Sequence, residues 1–269
     1  MSLLSEILRQ KRHEVSSRKS TDRRNELKRQ IADLDKVRGF EQALKRGDAL
    51  VPRLIAEVKK ASPSRGLIRV DFDPVRIARS YQSAGVQALS ILTDRTFFQG
   101  DPAFLRLVRE AVDLPILQKD FTIDEYQIYE ARALGADAIL LIVAALEDSQ
   151  LGEYLHLASE LDLAALVEVH HERELERVIG MANLIGINNR DLVTFDVDLN
   201  TTMRVMRAMP PGNVVVSESG ISSSEDVRRL ADLGIDALLI GETFMRALDI
   251  EAKVKELMTP SPAHNRSTR

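Results

Sequence analysis

Residues 234–241, GIDALLIG, repeat a pattern that also occurs as GVQALSIL at 85–92, GADAILLI at 135–142 and GMANLIGI at 180–187. In each copy, the first glycine can adopt the left-handed conformation that ends a helix, and an aliphatic run typical of a buried strand follows. The copies lie 45 to 54 residues apart, which suits two strand–helix units per repeat. The pattern therefore predicts a chain of alternating strands and helices.

Eight short aliphatic runs are the strand candidates, and the four repeats supply every second one. Most are continuously apolar rather than alternating, as expected for parallel strands that helices cover. The runs are 54–58, 88–92, 115–119, 138–143, 164–169, 184–188, 214–218 and 237–241. Eight such units predict an α/β fold with a closed (β/α)8 (TIM) barrel. An open Rossmann sheet fits less well, because no Gly-x-Gly-x-x-Gly loop follows the first strand.

The chain divides into three predicted regions. Residues 1–48 form an N-terminal helical extension whose apolar positions, such as Leu4 and Ile7, share one stripe, and we expect it to pack against one barrel mouth. Residues 49–258 form the catalytic barrel. Residues 259–269, TPSPAHNRSTR, are polar and contain proline, so we expect a disordered tail.

Composition narrows the classes of function. The chain contains no cysteine, which excludes disulfides, cysteine metal sites and thiol nucleophiles. Its longest apolar run, residues 138–146, is too short to span a bilayer, and Glu6 falls where a secretory signal would be apolar. We therefore expect a cytoplasmic protein with no signal peptide and no membrane partner.

Charge is distributed unevenly. The formal net charge is −4, yet residues 1–50 hold 13 Lys/Arg against 8 Asp/Glu. The basic segment 9–29 could be a nucleic-acid-binding or partner-binding arm, or a solvated helical face. Interrupting acidic residues and the lack of aromatic stacking partners favour the solvated face. We expect no nucleic-acid partner, and a monomer or weak homo-oligomer.

Charged and polar side chains stand at the ends of five predicted strands. In a (β/α)8 barrel the active site lies at the carboxyl ends of the strands. Burying such charges costs several kcal/mol unless they pair with one another or with a ligand. The convergence of five endings therefore predicts a polar site at this mouth. The residues are Glu57, Lys59, Lys119, Glu168, Asn188, Arg190 and Glu218.

Two glycines near the end of the barrel indicate an anion site. Gly220 and Gly241 each precede a predicted helix start, at 223–225 and 242–243. Backbone N–H groups at a helix start bind anions, and the loops after the last two strands are the recurrent phosphate site of this fold. The alternative is that both glycines serve only as turn residues.

Five segments resemble the indole-3-glycerol phosphate synthase family, in that family's order and spacing. They are IAEVKKASPSRG at 55–66, LSILT at 89–93, PILQKDF at 115–121, GINNRDL at 186–192 and SESGI at 217–221. The resemblance covers residues 50–250, and the N-terminal helices match the extension that this family adds to its barrel. Glu242 departs from members that carry a small residue beside the phosphate, so backbone amides would have to bind it.

The resemblance implies a lyase of tryptophan biosynthesis that needs no metal and no organic cofactor. Its substrate would be anionic 1-(2-carboxyphenylamino)-1-deoxyribulose 5-phosphate, and its products indole-3-glycerol phosphate, CO2 and water. Lys119 would be the general acid for ring closure and Glu168 the general base for dehydration. Glu57 would position the lysines and the substrate nitrogen, while Asn188 and Arg190 orient the carboxylate and hydroxyls.

The resemblance also implies how the substrate is held. The loop at 60–70, KASPSRGLIRV, could close over it. For Phe98, Phe121 and Leu140, an ordinary core position is the alternative to a role in binding. The implied phosphate ligands are Lys59, Ser219, Gly220, Gly241 and Glu242. The implied apolar slot comprises Pro63, Phe98, Phe121, Leu140 and Leu192, with Ser62, Arg190 and Glu218 as further substrate-binding residues.

Two rival interpretations stay open at this point. A phosphoribosylanthranilate isomerase-like barrel would share the phosphate site, but members of that family typically use a cysteine base, and this chain has none. If the chain were a non-catalytic phosphate-ligand binding protein, the charged residues at the strand ends would have no function. The fold alone does not distinguish between these functions.

Overall fold

The computed structural model describes residues 2–259 and shows a closed barrel of eight parallel strands. Neighbouring strands pair in chain order, and the last strand closes the barrel against the first. The predicted TIM barrel is confirmed, and all eight expected strands agree with the observed ones to within one residue at either end. The barrel strands are β1 (Arg53–Val58), β4 (Ala88–Leu92), β5 (Ile116–Lys119), β6 (Ala138–Ile142), β7 (Ala164–Val169), β8 (Leu184–Asn188), β9 (Val214–Glu218) and β10 (Ala237–Ile240).

A small hairpin stands apart from the barrel and consists of β2 (Ala61–Ser62) and β3 (Gly66–Leu67). It occupies the 60–70 loop. The tail expected at 259–269 lies outside the described residues except for Thr259.

Helices precede the barrel and alternate with its strands. Those before the barrel are α1 (Leu3–Arg18), α2 (Thr21–Ala32) and α3 (Phe40–Leu44). The others are α4 (Pro74–Ser83), α5 (Pro102–Ala111), α6 (Glu125–Ala133), α7 (Asp148–Glu160), α8 (Glu172–Glu176), α9 (Asn200–Met206), α10 (Ser224–Asp232), α11 (Glu242–Met245) and α12 (Ile250–Met258).

Local sequence explains where many of these helices begin. Asp73, Asp101 and Asp124 are N-caps whose carboxylates accept backbone N–H groups of the first turn, and proline follows the first two of them. At the other end of the connections, the four repeat glycines have φ between 78° and 90°. The left-handed turns predicted before every second strand are thus present.

Side-chain alternation along the strands divides the core into two layers. In β1, Leu54, Ala56 and Val58 pack outward against the helices, whereas Ile55 belongs to the cluster inside the barrel. Because successive side chains point to opposite faces, Glu57 also faces the interior, one layer above Ile55. The same alternation places a polar residue on the interior face at the carboxyl end of β5, β7, β8 and β9.

The N-terminal helices cover both ends of the barrel. Ile7 of α1 lines the cavity at the carboxyl mouth, while Phe40 and Leu44 of α3 pack in the interior cluster with strand-entry residues such as Ala88. Both α3 side chains are fully buried. The expected position against one mouth therefore describes α1 only, because α3 closes the opposite end.

The basic segment 9–29 faces an acidic helix of the same chain. Nη1 of Arg18 lies 3.2 Å from Oε2 of Glu130, and Nζ of Lys19 lies 2.6 Å from Oδ2 of Asp124. Arg24 likewise pairs with Glu125. The expectation of a merely solvated face is therefore incomplete, since these partly exposed side chains dock the extension on α6. Each such exposed pair stabilises the fold by less than about 1 kcal/mol.

Among the helices of residues 2–259, none combines the length and the apolar character needed to cross a membrane.

Candidate active site

The interior polar residues meet in one cavity of about 680 Å³ at the carboxyl-terminal mouth. Each reaches it from a different strand or loop, because parallel strands bring their carboxyl ends to the same edge. The structure brings together every residue that the sequence placed in the site. They are Glu57, Lys59, Ser62, Pro63, Phe98, Lys119, Phe121, Leu140, Glu168, Asn188, Arg190, Leu192, Glu218, Ser219, Gly220, Gly241 and Glu242.

Lys119 is the centre of the polar group. Its Nζ lies 3.0 Å from Oε2 of Glu168 and 2.5 Å from Oε2 of Glu218. Burial alone would lower the pKa of Lys119, but the charges of Glu218, Glu168 and Glu57 outweigh burial and raise that pKa above its ordinary value. Lys119 is therefore an ammonium held between two buried carboxylates. The second lysine, Lys59, pairs with Glu57.

The surroundings shift the pKa values of the two carboxylates beside Lys119 in opposite directions. Burial, together with repulsion from Glu168, raises the pKa of Glu218 to about 7 against the attraction of Lys119. Burial also acts to raise the pKa of Glu168, but the charge of Lys119 and the neighbouring His170 outweigh it and lower that pKa. The raised pKa that suits a general base at neutral pH thus belongs to Glu218, not to Glu168.

Two strand glycines make room for the buried carboxylates. A Cβ on Gly186 would collide with Oε1 of Glu218, and a Cβ on Gly241 would lie 2.6 Å from Oε1 of Glu57. Oε1 of Glu218 is buried and has no hydrogen-bond partner among residues 2–259. Leaving such an oxygen unpaired is costly, so it is available to a polar group of a bound ligand.

Gly186→Ala is expected to lower kcat at least about tenfold, because the added methyl group displaces Glu218 from Lys119 by a distance that catalytic geometry does not tolerate. Overpacking at this buried site should also cost about 1–3 kcal/mol of unfolding free energy. Steady-state kinetics and urea unfolding measure the two effects.

Gly152→Ala is the matched control, because the new Cβ would make only an ordinary contact of 3.7 Å with Met181. Equal kcat values for Gly186→Ala and Gly152→Ala would show that Glu218 does not depend on the space at Gly186.

Asn189 holds the loop that follows β9. It is buried, and its Nδ2 donates to Ser217 Oγ, to the Glu218 carbonyl and to the Ser219 carbonyl at 2.9–3.1 Å. Ser219 has φ 66°, a conformation that is uncommon for a residue other than glycine. Sequence reasoning placed Asn188 in the site but missed the structural role of the neighbouring amide.

Glu242 is surrounded by arginines. Its carboxylate lies 3.1 Å from Nε of Arg65, 3.1 Å from Nε of Arg246 and 3.7 Å from Nη2 of Arg190. Because Arg65 belongs to the β2–β3 hairpin, this cluster ties the hairpin to the loop after β10. The sequence does not single out Arg65 and Arg246, because each is one of many arginines in the chain.

The apolar side of the cavity carries the predicted aromatic pair. The ring centroids of Phe98 and Phe121 lie 6.1 Å apart. Leu4 and Ile7 of α1 line the same cavity. The extension therefore contributes side chains to the site, which the strand pattern could not reveal.

Lys11 of α1 joins two loops beside the site. Its Nζ lies 2.9 Å from Oδ2 of Asp94, 2.8 Å from Oδ1 of Asp120 and 3.0 Å from Oε2 of Glu14. Burial would lower the pKa of Lys11, but the charges of Asp120 and Asp94 raise it above its ordinary value. Asp120 directly follows Lys119, so this buried lysine connects the extension to the strand end that carries the central ammonium.

The arrangement can supply an acid, a base and anion ligands within one cavity. Within residues 2–259, no three His, Cys, Asp or Glu side chains are grouped so that they could hold a metal ion. An ammonium among carboxylates suits proton transfer to and from a substrate.

Comparisons with known proteins agree with this chemistry. The family model described as indole-3-glycerol phosphate synthase matches residues 4–257. A protein of that name from Neisseria meningitidis serogroup B is 48% identical over 257 residues, which cover 95% of this chain and 98% of the relative. A protein of the same name from Acetivibrio thermocellus is 56% identical over 204 residues, which cover 76% of this chain and 78% of the relative.

A solved structure with the same architecture is that of a 3-hexulose-6-phosphate synthase. It matches with a TM-score of 0.62 and 16% sequence identity, covering 77% of this chain and 98% of the other. At this identity the likeness concerns the fold alone.

Proposed function

Since the chain belongs to the indole-3-glycerol phosphate synthase family, we propose how its active-site residues carry out that family's reaction. The enzyme is a decarboxylating lyase of tryptophan biosynthesis. It converts 1-(2-carboxyphenylamino)-1-deoxyribulose 5-phosphate to indole-3-glycerol phosphate, CO2 and water. Ring closure needs an acid at the ribulose carbonyl, and the later dehydration needs a base and an acid.

Lys119 is the acid for ring closure. The observation that carries this assignment is the Lys119 ammonium inside the cavity, held at 3.0 Å and 2.5 Å by Glu168 and Glu218. As the aromatic carbon attacks the carbonyl carbon, the carbonyl oxygen gains negative charge and takes a proton from Nζ. The two carboxylates hold the ammonium in place, which lowers the entropic cost of the transfer.

Glu168 is the base for dehydration, although its surroundings lower its pKa. The lowered pKa keeps Glu168 ionised before the reaction, so it is ready to accept a proton. Once Lys119 has given up its proton, the nearest positive charge is lost and the pKa of Glu168 rises. The first proton transfer therefore makes Glu168 a stronger base for the later step.

Glu57, Asn188 and Arg190 position the substrate. Glu57 pairs with Lys59 and adds negative potential at Lys119. Oδ1 of Asn188 accepts the backbone N–H of Arg190 at 3.0 Å, which fixes the loop that carries the guanidinium. The substrate carboxylate and hydroxyls are suited to these groups.

The substrate phosphate binds at the loops after β9 and β10. Lys59 supplies a positive charge, and the amides at Ser219, Gly220, Gly241 and Glu242 supply hydrogen-bond donors. The arginines that surround Glu242 offset its carboxylate, which would otherwise repel the phosphate.

Crystals soaked in sulfate are expected to show the anion on the backbone amides at residues 219–220 and 241–242, because these donors and Lys59 face the same cavity. Difference density from such crystals is the measurement, and Lys59→Met is the matched variant that should weaken it. Density confined to the basic segment 9–29 would contradict the phosphate assignment.

The anthranilate ring binds on the apolar side, between the Phe98–Phe121 pair, Leu192 and Pro63. The aromatic faces suit stacking or edge contacts with the substrate ring. Leu140, which is almost fully buried, forms the base of the slot, and Ser62 reaches it from the hairpin. Contacts of Arg65 and Arg190 with other loops support closure of the hairpin over the substrate.

One assay tests the function directly. Purified protein that has been treated with chelator is incubated with the synthetic ribulose phosphate, and formation of the indole product is followed by fluorescence. We expect product without added metal or cofactor. No product under any condition would contradict the function, and conversion of phosphoribosylanthranilate instead would support the isomerase alternative.

The finer expectations on partners and location stay predictions. Pairing of the basic helices with α6 supports the absence of a nucleic-acid partner, because Arg18, Lys19 and Arg24 already have partners within the chain. A monomeric or weakly associated state and a cytoplasmic location are predicted from composition.

A further inference from the structure

His170 lies immediately after β7, behind the wall of the substrate cavity. Its side chain is 11% exposed, and it is not among the residues that line the cavity. Nε2 lies 3.3 Å from Oε1 of Glu168, and Nδ1 lies 3.1 Å from Oε2 of Glu174 in α8. The Glu174 carboxylate also accepts the backbone N–H of His170 at 2.7 Å. The imidazole therefore lies between two carboxylates, hydrogen-bonded to Glu174 and at ion-pair distance from Glu168.

The charges around this ring favour the imidazolium. Glu168 faces it from β7 and Glu174 from α8, while Asp191 adds negative potential from the loop after β8. His171, the next residue in the chain, also contacts Glu174. Burial acts to lower the pKa of His170, but its contacts with Glu168 and Glu174 outweigh burial and raise that pKa to about 10.

Glu168 thus has two cationic neighbours on opposite sides. Oε2 faces Lys119 in the cavity, and Oε1 faces His170 behind the wall. Lys119 also pairs with Glu218, so its single positive charge does not fully neutralise Glu168. When Lys119 transfers its proton, the histidine is the cation that stays beside Glu168.

We propose that His170 is a positioning residue for the reaction: its charge holds Oε1 of Glu168 from behind the cavity, so that Oε2 points at Lys119 and the substrate, and it keeps Glu168 ionised until this carboxylate accepts the proton of the dehydration step. This inference rests on the role proposed for Glu168. His170 touches no substrate in this arrangement and acts only through the carboxylate.

The sign of the effect follows from the charges. Removing a cation next to a carboxylate raises the pKa of that carboxylate. Glu168 and Glu218 compete for one ammonium, so they titrate as a coupled pair and both apparent pKa values rise. The acidic side of the kcat profile reports such a pair, and it should therefore move to higher pH.

The test is the pH dependence of kcat between pH 5 and 9 for His170→Gln, which removes the charge but keeps a polar side chain. We expect the acidic limb to move upward by about one pH unit, with KM changed less than about threefold. His170→Lys restores a cation and is expected to return the limb toward its wild-type position.

His171→Gln is the matched control, because His171 is the exposed neighbour whose contacts are with the backbone N–H and the carboxylate of Glu174 and not with Glu168; glutamine keeps an acceptor for that N–H. Its profile should coincide with that of the wild type. An unshifted limb in His170→Gln, with activity that falls evenly at every pH, would show a merely structural role and overturn the proposal. A wild-type enzyme that forms no indole product would instead contradict the function itself.

A measurement on the wild-type protein tests the charge of His170 even if a variant does not fold. The chain contains five histidines, so nitrogen-15 labelling of histidine gives a simple spectrum. The His170 ring should keep the signals of an imidazolium through pH 8. A neutral ring at pH 8 would overturn the proposal.

Discussion

Lys119→Ala is expected to lower kcat by about 10²–10⁴-fold with little change in substrate affinity, because it removes the proposed general acid for ring closure. The proposed phosphate and anthranilate contacts do not involve Lys119, so ground-state binding should persist. Single-turnover experiments that follow ring closure and indole formation separately measure the step that is lost.

Lys59→Ala is the matched control, because it removes another lysine of the same cavity, one that pairs with a single carboxylate. It should mainly raise KM, since losing a phosphate contact weakens binding of the ground state and the transition state together. Some loss of kcat is compatible with this role, because Lys59 pairs with Glu57. Normal ring closure in Lys119→Ala together with a block at that step in Lys59→Ala would make Lys59 the acid.

Lys11→Met is expected to lower the free energy of unfolding by about 3–5 kcal/mol. The methionine fills a similar volume but leaves Asp94 and Asp120 buried with no neutralising charge. These carboxylates would then repel each other or take up protons, and both outcomes cost stability. Urea unfolding followed by circular dichroism measures the change.

Lys19→Met serves as its control, since Lys19 forms a half-exposed pair with Asp124 at the end of the same helix. An exposed pair of this kind should contribute less than about 1 kcal/mol. If the two variants unfolded at the same urea concentration, the buried lysine would contribute no more than a surface pair.

The strand pattern determined the barrel because it depends on local properties. Aliphatic runs, helix caps and left-handed glycines such as Gly85 are set by neighbouring residues, so the sequence alone located every barrel strand to within one residue, although not the short hairpin strands β2 and β3. Alternation along a strand then placed side chains such as Glu57, Lys119 and Glu168 on the interior face. Their roles in the reaction stay predictions.

Only the tertiary structure shows which cations contact Glu168 and Glu218. Glu168 and Glu218 both stand near the carboxyl ends of their strands, and the sequence does not show which cations each of them contacts. Both contact Lys119, but their pKa values diverge because Glu168 also lies beside His170, whereas Glu218 has one buried oxygen next to Gly186 that has no hydrogen-bond partner among residues 2–259. Such shifts depend on burial and on charges from distant parts of the chain.

Placement of the extension also required the fold. Amphipathic periodicity shows which stripe of a helix is buried but not the surface that covers it. Only the structure shows that α1 reaches the active site through Lys11 and Ile7, while Phe40 of α3 closes the opposite end of the barrel. The sequence therefore determined the barrel strands and a set of candidate site residues, and long-range packing and electrostatics decided how those residues are held and charged.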